Sequence, residues 1–253
     1  MKKLKTPFLF SIAVLPIAVI AGILASMYQI DLYPAEVLEQ VLEQLGSTST
    51  DVLIVVGGIQ TAVYAFFCSF FGCMLARQLG LWQSLKIAKK PLALTLGLSL
   101  VFGIVFSLDY WVFGSVYPAI RESISVGLTP VGFAASVLYG GIIEELIIRL
   151  LFMSLIAFIL WKLFCRKAVT GEIPTWVYIA ANIIAALVFA AGHLPTTIST
   201  FGSITPLLLF RCFLLNGGFG LYFGWLYRKH GIQYAMLAHA SMHIVSKLIW
   251  IMF

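Results

Sequence analysis

The sequence predicts an all-α polytopic membrane protein, a bundle of about seven transmembrane helices, or eight if the long fourth segment is split. Three observations predict it. The chain is 61% hydrophobic and only 10% charged, with a mean hydropathy of +1.03, whereas a soluble domain carries about 25% charged residues. Its apolar runs reach the roughly 20 residues that a helix needs to cross a bilayer. The segments between the runs alternate between basic and non-basic, as topogenic charge does in a multi-pass protein. The same runs exclude a transmembrane barrel, whose strands would alternate polar and apolar residues in short segments.

The first run, about 7–28, follows Lys2, Lys3 and Lys5. It is longer than a signal-peptide core and no small-x-small cleavage site follows it, so it reads as a retained span. The next loop is acidic, with Asp31, Glu36, Glu39, Glu43 and Asp51. A second span at about 52–76 leads to Arg77, Lys86, Lys89 and Lys90, and a third at about 91–113 leads to a loop holding Arg121 and Glu122. Leu128-Thr129-Pro130 there suits a surface or re-entrant piece. The fourth run, about 131–161, is followed by Lys162, Arg166 and Lys167; the fifth, about 175–194, by an uncharged loop; the sixth, about 206–227, by Arg228-Lys229-His230; the seventh fills 231–252. The positive-inside rule then puts the N-terminus in the cytoplasm and the C-terminus outside. The short loops and the lack of an Asn-x-Ser/Thr sequon point to a bacterial plasma membrane. One membrane domain, 1–253, is expected, with a motif-bearing core at about 131–253.

The net charge of +6 reads as topogenic lysine and arginine. Nucleic-acid binding is excluded because no soluble part exists to carry a basic face. Cys68, Cys73, Cys165 and Cys212 stand at no metal-ligand spacing and read as small packing residues. Gly217, Gly218, Gly220 and Gly224 on the sixth span read as a face for close helix approach.

The fourth run carries Glu144, Glu145 and Arg149 in its middle. Even the lower estimates for a central Asp, Lys or Arg in a membrane helix are roughly 2.5–3.5 kcal/mol, so such residues face a protein interior and usually serve a site. Adjacent helical residues point about 100° apart. Glu145 and Arg149 therefore share a face in the favourable order, and Glu144 is left free, in the position of a general base. A purely structural buried network is the alternative. His193 stands near the expected end of the fifth span, one turn after Phe189. His239 and His243 are four apart in the last span, and Lys247 extends their stripe. Arg211 also needs a partner, for which Glu144 or Glu145 could serve. Asp109 and Lys247 lie near span ends, where side chains can snorkel. Asn182 and Asn216 read as interhelical hydrogen bonds. With straight helices Glu144 is near mid-membrane, His193 near the outer end and His239 towards the inner end. A shared site therefore requires helices that tilt, shift or break, for which Pro195, Pro206 and the glycines offer places.

Taken together, these residues resemble the CPBP family, the type II CAAX prenyl endopeptidases and their bacterial Abi relatives. The family pattern is Glu-Glu-x-x-x-Arg, then Phe-x-x-x-His, then His-x-x-x-Asn or Asp. Glu144, Glu145 and Arg149 match the first, Phe189 and His193 the second, and His239 the start of the third. The resemblance covers about residues 136–243. It implies hydrolysis of a peptide bond inside the membrane by a glutamate-activated water. Glu144 would be the base, His193 would help to hold the water, and His239 with the fourth motif position would stabilise the oxyanion. Glu145 and Arg149 would hold the helix. The chain departs from the pattern at His243, where the family often has Asn or Asp; a neutral imidazole still offers one N–H.

Three functions follow from these residues. The first is an intramembrane endopeptidase with a membrane-associated peptide or protein as substrate, the bilayer as surroundings and no cofactor. The second is a zinc-dependent protease in which Glu144, His193, His239 and His243 supply two to four ligands, although no His-Glu-x-x-His helix is present. The third is a non-catalytic membrane partner, an immunity or regulatory protein of the same family. A proton-coupled carrier ranks below these, for want of an inverted repeat or paired broken helices.

Overall fold

The structure, a computed structural model, describes residues 2–253, with side chains from residue 4 onward. The charges of Lys2 and Lys3 used for the orientation lie outside the described side chains. Among the described residues all regular structure is helical. Seven helices are long and apolar enough to cross a membrane: Leu4–Leu32, Asp51–Gln78, Lys89–Val116, Pro130–Phe164, Thr175–Phe201, Pro206–His230 and Ile232–Met252. Large apolar side chains such as Val55, Ile59, Phe67, Leu100 and Leu248 remain exposed on their outer faces, the surface that lipid would cover. The acidic first loop holds a helix, Ala35–Gln44, with Glu36, Glu39 and Glu43 exposed and Leu42 buried. A second short helix, Ala119–Val126, precedes the fourth span and buries Ile120 and Ile124.

The fourth span is one 35-residue element and is not split, so the count stays at seven among the described residues. Its middle is π-helical over Ser136–Glu144 and again over Leu146–Met153. Such i→i+5 turns occur mostly singly and often at functional sites. The sixth span has its own π-helical stretch, Phe213–Gly217.

The fifth span corrects the sequence reading. It does not end at 194. The helix Thr175–Gly192 turns at His193 and resumes as Leu194–Phe201. Pro195 falls in the first turn of the second piece, where its missing N–H costs no hydrogen bond. The proline redirects the helix instead of stopping it. His193 consequently lies well inside the span rather than at its outer end.

The last span packs on the third and fourth, and the sixth packs on the fifth and seventh. Close approach depends on missing side chains. A Cβ on Gly141 would lie 2.7 Å from the Ala240 Cβ, and one on Gly224 would overlap the Asn182 amide. Asn182 donates across that contact to the Leu221 carbonyl at 2.9 Å, as expected. Asn216 differs from expectation: its amide donates to Cys212 O in its own helix at 3.1 Å. Cys68, Cys73 and Cys212 are free and buried, and Cys165 is free and half-buried.

Candidate active site

Glu145 is fully buried and is the hub of a charged network. Its Oε1 accepts from Arg149 Nη1 at 2.7 Å and from His239 Nδ1 at 2.9 Å. The i,i+4 pairing expected from sequence therefore forms even though the backbone here is π-helical. Arg149 is equally buried. Its Nη2 donates to the Gly220 carbonyl at 3.2 Å, and its guanidinium lies 4.5 Å above the Phe189 ring and 5.3 Å from the Phe223 ring. Desolvating two charges is tolerable only when geometry and extra hydrogen bonds compensate. Here a carbonyl, an imidazole and two aromatic faces provide that compensation.

The two histidines of the last span continue from this hub. The His239 ring stacks on Phe223 at 4.4 Å and on His243 at 4.9 Å. A Cβ on Gly140 would stand 2.9 Å from His243 Nε2 and 3.7 Å from His239 Nε2. Both Nε2 atoms therefore lie against the fourth span one turn before Glu144. They fit there because residue 140 has no side chain, and Gly140 is a site residue that the sequence reading passed over. His243 Nδ1 is buried and has no hydrogen-bond partner. His193 comes from the kink of the fifth span. Its Nδ1 faces the Phe189 carbonyl at 2.8 Å, and its ring stands edge-on to Phe189 at 4.7 Å. A carbonyl only accepts, so the His193 proton sits on Nδ1 and Nε2 is left as an acceptor.

Glu144, Phe189, His193, His239 and His243 all line one cavity of about 610 Å³. They come from the fourth, fifth and seventh spans. Glu144 itself makes no hydrogen bond or ion pair with another described residue. Glu145 and Arg149 stand behind the wall and do not line it. No group of three His, Cys, Asp or Glu side chains among the described residues has an arrangement that could hold a metal ion.

Three charged residues were misplaced by sequence reasoning. Arg211 does not seek a glutamate. It grips Asp109 through two bonds, Nε to Oδ1 at 2.7 Å and Nη2 to Oδ2 at 2.5 Å. Asp109 is 2% exposed and Lys247 is 4% exposed, so neither snorkels. Lys247 Nζ donates to the Gly127 carbonyl at 2.6 Å. All three line the cavity. Asp109 and Arg211 are 102 positions apart, and no local periodicity could have announced the pair.

Comparison with known proteins bears on the same stretch. Residues 127–245 match the family model described as Type II CAAX prenyl endopeptidase Rce1-like. The match takes in Glu144, Glu145, Arg149, Phe189, His193, His239 and His243 and leaves the first three spans outside it. No curated protein and no solved structure matches the chain. Through the stretch that builds the cavity, residues 127–245, this membrane-spanning chain is similar to the Rce1-like family of type II CAAX prenyl endopeptidases.

Proposed function

We propose that the chain is an intramembrane endopeptidase in which Glu144 activates water for attack on a peptide carbonyl. The observation that carries this reading is the shared cavity. It brings an unpaired carboxylate and imidazoles from two other spans to one space, while the neighbouring carboxylate is locked in a buried network. Water held between Glu144 and His193 Nε2 gives a proton to Glu144, and its oxygen bonds to the carbonyl carbon. The resulting oxyanion needs donors. His243 suits that role as a neutral ring, because its buried Nδ1 has no donor or acceptor beside it and its proton belongs on Nε2. His239 has committed Nδ1–H to Glu145, so it donates from Nε2 only as an imidazolium, whose charge Glu145 offsets. Collapse of the intermediate breaks the C–N bond, and Glu144 returns its proton to the leaving amine.

The cavity is lined from the ends of the first, third, fifth and seventh spans, by Gln29, Asp109, Thr200 and Lys247, and from the beginnings of the fourth and sixth, by Ser136 and Arg211. In an alternating bundle these positions share one membrane face, the face opposite the basic loops. With the N-terminus cytoplasmic, the cavity faces outward and its substrate is presented from outside, as a membrane-associated peptide or protein. No cofactor enters this scheme. Comparing membrane peptides and new N-termini from cells with the wild type and with Glu144→Ala tests it. A product that disappears with the variant is expected. An unchanged peptide set together with an unchanged cellular phenotype would replace the protease by a non-catalytic partner.

A further inference from the structure

Four charged side chains line the cavity: Asp109, Glu144, Arg211 and Lys247. Asp109 and Arg211 neutralise each other through two hydrogen bonds. Glu144 and Lys247 remain without an ion-pair partner among the described residues. Lys247 is the unusual one. An ammonium has three donors, is strongly hydrated and seldom stays buried unless paired. This one is 96% buried, spends one donor on the Gly127 carbonyl, and keeps two for the cavity. The contact is built closely. A Cβ on Gly127 would meet Lys247 Nζ at 3.1 Å and the Tyr28 hydroxyl at 3.3 Å, so two polar side chains of the cavity wall converge there. Lys247 lies two residues beyond the stretch that matches the family model.

We propose that Lys247 is a specificity-determining residue that binds a carboxylate of the peptide substrate. The inference rests on the peptidase reading of the same cavity. Lys247 follows His243 by one helical turn and His239 by two, along one face of the last span. At roughly 1.5 Å per residue the Lys247 backbone stands on the order of 12 Å along the helix from that of His239. A peptide held at the histidines therefore reaches Lys247 with a group a few residues away from the carbonyl under attack. A carboxylate there gives the Lys247 ammonium the ion-pair partner it lacks among the described residues. Lipid phosphate suits the place less well: Lys247 sits more than a turn inside the span end at Met252, below the depth of headgroups.

Binding is measured without turnover, in the full-length Glu144→Gln protein in detergent. The probes are fluorescently tagged apolar Leu/Ala peptides of stepped length. One set ends in a free carboxylate, a second in an amide, and a third in an amide with one internal Asp. The free acid or the Asp peptide is expected to bind at least tenfold more tightly than the amide at one preferred length, and which of the two does so identifies the source of the carboxylate. Lys247→Met should abolish that preference while leaving amide binding and thermal stability near those of the parent, and Lys247→Arg should keep it. Equal binding of all three sets, preference that survives Lys247→Met, or displacement of the acid peptides by phosphatidylglycerol with no length dependence would overturn the proposal. The two readings separate in the wild-type protein. Acid preference without cleavage of any peptide keeps the carboxylate site and removes the peptidase, whereas cleavage with no acid preference does the reverse.

Discussion

Glu144 and Glu145 are chemically identical and adjacent, yet the surrounding helices give them opposite tasks. Glu145 holds Arg149 and His239 in place, and Glu144 faces open volume. Their substitutions should therefore separate. Glu144→Gln is expected to abolish cleavage while thermal unfolding in detergent stays close to that of the parent. Glu145→Ala leaves Arg149 charged and buried, a loss on the order of 3–5 kcal/mol that should appear as a large fall in the unfolding midpoint. The outcome against this assignment is a stable, active Glu145→Ala protein. The oxyanion role of His243 gives a second test. His243→Leu removes a donor, which typically lowers kcat by about 10²–10³, while His243→Asn keeps an N–H and should retain much more activity than His243→Leu. At this scale sequence was a good guide wherever partners were one turn apart. The Glu145–Arg149 pair follows from spacing alone, and so does the stacked pair of His239 and His243. Lys247 and Asp109 were misread because nearness to a span end does not reveal the neighbouring helices that bury them.

At the scale of elements, the site depends on two backbone departures that hydrophobic pattern does not encode. One is the turn at His193, after which Pro195 opens a new helical piece and the span runs on to Phe201. The other is the bare backbone at Gly140, which admits two imidazoles against the fourth span. Gly140→Ala should leave folding nearly intact, since alanine favours helix. It should also push the His243 ring away and reduce cleavage at least tenfold, a split that a purely structural glycine would not produce. The Asp109–Arg211 pair joins the third and sixth spans and calls for a stability cycle. Arg211→Met alone strands a buried carboxylate and should be destabilising by several kcal/mol, whereas Asp109→Leu combined with Arg211→Met should recover most of the loss, as replacement of a buried pair by apolar residues often does. Additive effects of the two changes would mean that the ion pair is not the tie between these spans.

For the whole molecule, the number of spans was legible because lipid imposes length and apolarity on each one, and the seven expected segments coincide with the seven observed to within a few residues except at the kinked fifth. The cavity was not legible, since it is made by long-range packing of six of those spans. Its sidedness links the two. In the proposed topology the basic loops lie at one face of the bundle and the cavity opens at the other, so the charges that set insertion also set the side from which the proposed substrate enters. Thr200 lines the cavity at the end of the fifth span, and Lys229 lies in the basic turn before the last span. In a background with the native cysteines replaced, Thr200→Cys in intact cells should react with a membrane-impermeant maleimide. Lys229→Cys should react only after the membrane is opened. The reverse pattern would turn the cavity to the cytoplasm and require a cytoplasmic substrate, while leaving the chemistry of Glu144 and the histidines as described.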